Sequence, residues 1–509
     1  MTAALTTPHP DATAIGMKVL QQGGTASEAL IAAGAALTVV MPHFCGLGGD
    51  AVWLVVGRDG HQQSFLAIGQ GLDRPMPKGP LPLRGPGSIL TSAAVVDGWQ
   101  CAFTHSKKTL GGYSKWEDLL QPAISLAQNG SPVTRSQAFW GNFRKDEFEN
   151  WRGFNAIFAD KGRPLEEGYL LRQPALADSL SLIAEKGADE FYKGGLSNRI
   201  VEGLSAQGVA ISQADLARTT TKVTNPLTLK YRDFTLLAPP APTQGITTLQ
   251  IMGILSRFDL SRLPPDEADH FHLCVEAVKR AFLRRGSISD PAFSGNCIEN
   301  FLADETLDQL ASSISHSDAM PWPYKWQHGD TVFLGAIDAQ GNAASVLQSI
   351  YFDWGSGVVA GDTGIIWQNR GAAFSRDPSN LNAFAPGKLP FYTLNPGIAL
   401  KQGRPHFVYG TQGADGQPQT LAMLLTRLID FGQAPQEALG APRFLLGRTF
   451  SDSQDSLKIE AGTDTQTVAE LKARGHEVKL IPAHSPIAGQ AGIVLSEPDR
   501  CMAWHDPRS

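Results

Sequence analysis

Asp330-Thr-Val-Phe-Leu-Gly-Ala-Ile337 is the stretch that decides how this chain is read. Its β-branched and apolar residues predict a strand from Thr331 to Ile337. The loop Asp338-Ala-Gln-Gly-Asn342 and a second strand-like run, Ala343 to Ile350, predict the returning arm of a hairpin. A threonine at the head of a strand gains a chemical role when the peptide bond before it is cut. Its hydroxyl and its freed α-amine then sit on one residue, nucleophile and base together. The same threonine also suits plain packing in a sheet, so the surrounding sequence has to decide.

Immediately upstream, Ser313 to Gly329 is polar and irregular, ending in Pro321-Trp-Pro-Tyr-Lys-Trp-Gln-His-Gly329. It reads as an exposed connector, where a cleavable segment belongs. Nearer the start, Thr25-Ala-Ser-Glu28 reads as a capping box opening an Ala-rich helix that runs on to about Met41. Phe44-Cys-Gly-Leu-Gly-Gly-Asp50 then precedes a strand, Ala51 to Val56. Because a strand and not a helix follows, these glycines read as a tight structural turn, not a phosphate cradle. The middle, from about Pro122 to Leu310, reads as helical with breaks: Ala175–Lys186, Leu196–Gln207, Thr247–Phe258 and Ala268–Arg285. Beyond Thr331 come β-rich segments, a helix at about Gln419 to Phe431 and a last helix–strand unit ending in Asp506-Pro-Arg-Ser509.

The 509 residues, 42% hydrophobic and 18% charged, describe an ordinary globular composition with ample core. A net charge of −6 and no basic cluster argue against nucleic acid or an anionic membrane surface as partner. No cationic start followed by an apolar run marks a secretory signal, and no apolar run is long enough to span a bilayer. Five cysteines without CxxC spacing fit a reducing compartment, and the cytoplasm is the expected location. His270 and His272 lie two apart with no third ligand expected nearby, and are expected to be ordinary helix residues, not a metal site; no metal or cofactor is expected.

In this order, Gly24-Thr-Ala-Ser-Glu-Ala, Gly46-Leu-Gly-Gly-Asp50, Gln121-Pro-Ala-Ile-Ser-Leu-Ala, Phe191-Tyr-Lys-Gly194, Asp290-Pro-Ala-Phe293, Asp338-Ala-Gln-Gly-Asn342, Gly355-Ser-Gly-Val-Val-Ala-Gly361, Ala441-Pro-Arg-Phe444 and the closing Asp506-Pro-Arg-Ser509 resemble the γ-glutamyltranspeptidase family of N-terminal-nucleophile hydrolases, nearly end to end. The resemblance implies an α+β fold, a four-layer αββα sandwich. It also implies a proenzyme that cuts itself between Asp330 and Thr331 into a large subunit, 1–330, and a small subunit, 331–509, associated as one intertwined domain. Carried over residue by residue, Thr331 falls on the nucleophile and Ser349 on the second hydroxyl that polarises it. Gly413 and Ala414 fall on the backbone N–H pair of the oxyanion hole. The second of these is usually Gly, and Ala can serve if the backbone there suits a residue with a Cβ.

The departures bear on substrate. The family pocket holds a free amino-acid end, with an Arg on its α-carboxylate, an Asn and a Gln assisting, and an acid on its α-ammonium. Those positions fall here on Leu66, Tyr351, Arg370 and Ala373, and two carboxylate-gripping serines become Tyr392 and Thr393. Without the acid, a buried ammonium is costly to desolvate. Arg370 instead brings a guanidinium that seeks a planar anion, and the tyrosines shrink the pocket. The expected substrate is a small amide with a carboxylate and no ammonium. One branch of the family hydrolyses oxamate to oxalate and ammonia, and this pocket is similar to what that requires.

Each residue also has a plainer reading. Ser349 suits a strand hydroxyl bonded to backbone, Arg370 suits pairing with Asp362 or Asp377, and Tyr351 and Tyr392 suit core packing. As for function, the alternatives are a γ-glutamyl hydrolase or transpeptidase (a glutathione hydrolase) with a rebuilt pocket, or an uncut binding protein of the same fold. A serine hydrolase is disfavoured because no Gly-x-Ser-x-Gly elbow occurs. The partners expected are a small-molecule amide and the chain's own second fragment, with oligomeric state open.

Overall fold

The hairpin forms as read, with β7 (Asp330–Ile337) and β8 (Ala343–Tyr351) antiparallel about the Asp338–Asn342 turn. Asp338 closes that turn, its carboxylate accepting from Gln340 N and Asn342 N at 3.0 and 2.9 Å, while Gly341 takes φ +91°. The computed structural model describes residues 2–151, 153–295, 298–322, 330–449 and 452–509. The end of the expected connector, 323–329, lies outside the described residues, as does Cys297.

Around the hairpin, β1 (Ala4–Thr6), β2 (Asp50–Val56), β3 (Gln62–Ala67) and β4 (Lys222–Thr224) complete a sheet in the order β1-β7-β8-β2-β3-β4. A second sheet follows the order β12-β11-β10-β9-β6-β5, built from β5 (Leu227–Tyr231), β6 (Phe234–Ala238), β9 (Gly397–Lys401), β10 (Arg404–Thr411), β11 (Ala491–Ser496) and β12 (Cys501–His505). Three of these strands, β4 to β6, fall in the stretch read from sequence as helical with breaks. They are short, three to five residues each; Leu227-Thr-Leu-Lys-Tyr231 does alternate, with Leu229 and Tyr231 buried, but so brief a run does not stand out from the helical stretches around it.

Period-two side-chain alternation assigns the layers. Val332, Leu334 and Ala336 of β7 face α1 (Ala26–Val40) and α2 (Val95–His105), with Ala51, Trp53 and Val55 beside them. Phe333 and Ile337 face the other way, meeting Val52, Leu54, Ile398, Val408 and Val494 between the sheets. On the far side, Leu236, Ala399, Phe407, Tyr409 and Ile493 pack under α3 (Gly245–Leu255), α4 (Ala268–Arg285) and α5 (Gln417–Ile429). Helix, sheet, sheet, helix: the fold is the αββα sandwich that the resemblance implies. α1 begins with the expected capping box, Thr25 N donating to the Glu28 carboxylate and Glu28 N to Thr25 Oγ1. Its small residues let it lie close to the sheet; a Cβ on Gly34 would meet Gln348 Oε1 at 2.7 Å.

The C-terminus is tied in by buried charge. Arg508 donates to Glu460 Oε1 at 2.8 Å and to Asp506 Oδ1 at 3.1 Å, and Arg443 pairs with Asp506 at 2.6 Å. All four side chains are at most 1% exposed. Arg508→Ala would leave the buried Glu460 carboxylate without its cation and Asp506 with Arg443 alone, and a destabilisation of roughly 3–5 kcal/mol is expected in chemical denaturation. A midpoint equal to that of the parent would show that this network is not coupled to the fold.

Candidate active site

Thr331 lies where the ladder slips. Asp330 pairs with Tyr351 but Val332 with Gln348, so Ser349 and Ile350 together oppose Thr331 across a β-bulge. Bulges re-aim side chains. Thr331 is on the same face of its strand as Phe333, toward the inter-sheet layer, and is 1% exposed. Ser349 pairs in register with Asp50 of β2 and shares that face with Leu347. Its Oγ accepts from Tyr351 N at 2.8 Å, so the expected backbone bond is present at that hydroxyl. Thr331, Ser349 and Asp50 therefore form a row across three neighbouring strands, at one end of the sandwich and facing its interior.

Tyr351 ends β8 with φ +82°, a left-handed conformation unusual for a bulky residue and costing about 1–3 kcal/mol. The turn lays its ring against the Arg370 guanidinium, 4.1 Å from Cζ to centroid, and Tyr392 covers it with a second ring at 3.7 Å. Arg370 is 1% exposed. Its Nη2 donates to Phe391 O at 2.7 Å and its Nη1 reaches Thr393 Oγ1 at 3.5 Å, while Nε has no acceptor. No carboxylate among the described residues pairs with it. The two acids near it in sequence are committed elsewhere: Asp362 to Arg199, and Asp377 to Ser379 N and Oγ. Ala373 lies beside Tyr351 and Phe352, and Leu66 packs in the inter-sheet core with Tyr392.

Gly413 and Ala414 follow β10 at φ +115° and +43°. Ala414 is thus held in the left-handed region where glycine is normal, the condition on which its place in the pair depends. Neither backbone N–H donates to another described residue. Gln244, missed in the sequence, joins this loop to the Arg370 side. Its Nε2 donates to Ala414 O at 2.8 Å and to Thr393 O at 2.6 Å, and its Oε1 accepts from Arg285 Nη2 at 2.9 Å. Arg285 also pairs with Asp415, both fully buried. Gln244 comes from the Pro239–Gly245 loop, whose turn composition shows nothing of this reach.

Asp50 is the second residue missed. Its Oδ1 accepts from Gly69 N and Ala94 N, both at 2.9 Å, and its Oδ2 from Tyr392 OH at 2.9 Å. Burial pushes its carboxyl up to about 6, against the opposing hydrogen bonds of Gly69, Tyr392, Gln368 and Ala94. The glycines before it form the turn expected: Gly49 N donates to Gly46 O, and a Cβ on Gly49 would meet Ser349 O at 2.4 Å.

His270 and His272 are both buried on α4. His270 stands by itself, bonded to Thr426 and Asp266 N. For His272 the sequence reading needs correction, because Glu276 and His476 bring possible ligand atoms within 4.8 Å of one another. Glu276 lies one turn further along α4, but His476 comes from a distant segment, which spacing in the sequence hides. The lone pairs are already used. His272 Nε2–H must donate to the Ser315 carbonyl at 2.7 Å, so its Nδ1 accepts from His476 Nε2–H at 2.8 Å. Lys279 stands 3.5 Å from the remaining His476 nitrogen, and an ammonium there opposes a cation. Glu276 is paired with Lys279 and Arg280 and accepts from Met320 N. The cluster fits a clamp on 315–320 better than a metal site. A separate cavity of about 370 Å³ is bordered by Arg232, Arg257, Asp259 and Asp430, with its guanidinium groups already paired.

The sequence matches the model of the γ-glutamyltranspeptidase family over residues 12–509. The chain belongs to the γ-glutamyltranspeptidase family. This family member is an amidohydrolase by class. It is 42% identical over 510 residues, 99% of this chain and 96% of the relative, to an oxamate amidohydrolase proenzyme of Klebsiella pneumoniae. It is 36% identical to a glutathione hydrolase-like proenzyme of Bacillus subtilis, over 98% of this chain and 96% of the relative. Among solved structures, a cephalosporin acylase from Bacillus halodurans superposes with a TM-score of 0.91 at 29% identity, covering 100% of this chain and 94% of the other.

Proposed function

We propose that the chain cuts itself before Thr331 and then hydrolyses a small carboxylated linear amide, with oxamate, giving oxalate and ammonia, as the substrate this pocket suits best. The observation that carries the reading is Arg370: buried, clasped by two tyrosine rings, and without a carboxylate partner among the described residues. A guanidinium in that state gains most from a planar anion small enough to enter between the rings. The relative named as an oxamate amidohydrolase supports the same choice.

In the uncut chain Thr331 Oγ attacks the Asp330 carbonyl, the peptide bond becomes an ester, and water hydrolyses it, freeing the α-amine. Fragments 1–330 and 331–509 stay together because β1, β2 and β3 of the first share a sheet with β7 and β8 of the second. In the mature enzyme Oγ adds to the substrate amide carbon while the α-amine takes its proton. The N–H groups of Gly413 and Ala414 stabilise the oxyanion, about 3–4 kcal/mol for each donor in comparable enzymes. Ser349 polarises the nucleophile. The same proton passes to the departing nitrogen, ammonia leaves, and water attacks the acyl ester to release the second carboxylate and restore the hydroxyl. Arg370 and Thr393 hold the substrate carboxylate, and Tyr351 and Tyr392 fix its plane. The four free cysteines described suit a reducing cytoplasm.

Relatives named as glutathione hydrolases favour a γ-glutamyl substrate, but Ala373, beside Tyr351, offers no charge to meet its ammonium. Ammonia release from a panel of carboxylated amides, oxamate included, set against release from a γ-glutamyl anilide, decides between them. At least about a hundredfold preference in kcat/KM for the small amide is expected, the cost of an unpaired buried ammonium. Faster turnover of the anilide would reverse the assignment.

A further inference from the structure

We propose that Asp50 is a positioning residue for this reaction, setting the anion affinity of Arg370 through the Tyr392 ring that lies between them. The inference rests on Arg370 as the seat of the substrate carboxylate and goes one step behind it. A buried guanidinium with no acid in contact needs some counter-charge, and the sandwich supplies one a ring away. Asp50 is fully buried at the head of β2, in the row with Ser349. Tyr392 donates its hydroxyl to Asp50 at 2.9 Å and turns its face to Arg370 at 3.7 Å. No Lys, Arg or His among the described residues pairs with Asp50. Two opposite buried charges, each lacking a partner in contact, are thus bridged by one phenol.

The physics follows from that order. A phenol donating to a carboxylate has a more electron-rich ring, which holds a cation more firmly. The ionised carboxylate also offsets the guanidinium's field across a short low-dielectric path. With Asp50 charged, Arg370 is partly compensated and binds an incoming anion less tightly; with Asp50 neutral, the substrate carboxylate is its sole counter-ion. Binding and protonation are therefore linked, and each favours the other. Burial places the Asp50 titration near 6, inside the range where enzymes work.

The other groups facing Asp50 leave this pairing intact. Tyr192 approaches from the helix Asp189–Tyr192, its hydroxyl accepting from Asp97 N of α2 at 2.9 Å; Asp97 is of like sign and holds Thr221 N. Gln368 adds an uncharged amide and Ser349 a hydroxyl. Arg370 is the cation on this line.

Oxalate binding to the cut enzyme, measured by calorimetry from pH 5 to 8, tests the proposal. In the parent, Kd is expected to rise about five- to tenfold with an inflection near 6, a coupling of ordinary size. Asp50→Asn keeps an oxygen for Gly69 N and Ala94 N, and its Kd is expected to stay low and flat through that range. In Tyr392→Phe the inflection should move upward, because Asp50 loses a hydrogen bond that favours its charged form. That shift separates Asp50 from the α-amine of Thr331, because the hydrogen bond removed is one that Tyr392 makes to Asp50. A flat parental profile, an Asp50→Asn profile like the parent's, or an unmoved inflection in Tyr392→Phe overturns the proposal. Failure of the carboxylate seat itself looks different: Arg370→Ala would then bind oxalate as tightly as the parent at every pH, and both readings fall.

Discussion

Thr331→Ala gives a single uncut chain with amidase activity at background. The substitution removes one hydroxyl, and with it both the group that attacks Asp330 and the group that attacks substrate. Because the bond stays closed, no α-amine is released either, so nucleophile and base vanish together. Loss of a nucleophile that works with its base as a unit costs on the order of 10⁶ in kcat in well-studied hydrolases. Thr331→Ser is the informative control: it keeps a hydroxyl at the bulge and is expected to cut and turn over, more slowly, since serine lacks the methyl that fixes χ1 in a strand. A Thr331→Ala protein that still releases ammonia from the preferred amide would remove Thr331 from the mechanism.

Arg370→Ala raises KM for the carboxylated amide by roughly 10²–10³, the worth of a buried charge-assisted pair of hydrogen bonds, about 3–4 kcal/mol. The effect falls mainly on KM because the carboxylate is held throughout the reaction, in ground state and transition state alike. Arg370→Lys is expected to recover little. A lysine ammonium has no flat face to lie between Tyr351 and Tyr392 and cannot present two parallel donors. An amide without a carboxylate should be indifferent to both changes. An unchanged KM for the carboxylated substrate in Arg370→Ala would take this residue out of the pocket.

How far the sequence carried differs from one element to the next. The β7–β8 hairpin and the capped helix α1 were legible because their signals are local: alternation, an Asx-rich turn, a Thr-x-x-Glu box. Strands β4 to β6 were not, because runs of three to five residues are too brief for alternation to stand out from the helical stretches around them. At the candidate site, the spacing of Arg370 from Asp362 and Asp377 invited an ion pair. Only the fold shows those acids spent on Arg199 and on Ser379 while Arg370 is buried between rings. Asp50 and Gln244 act across 342 and 170 positions of chain, to Tyr392 and Ala414, and no local pattern records a contact of that range. The same holds for His272, whose neighbour His476 lies 204 positions away.

Intact-mass measurement on active enzyme, before and after rapid quenching with the preferred amide, shows whether the chain is cut before Thr331 and where the acyl group rests. Two fragments are expected, 1–330 and 331–509, with a transient acyl mass on the second alone, mapping to its first residue. An unbroken 509-residue chain that turns over substrate, or an acyl group found on any residue other than Thr331, would contradict this mechanism.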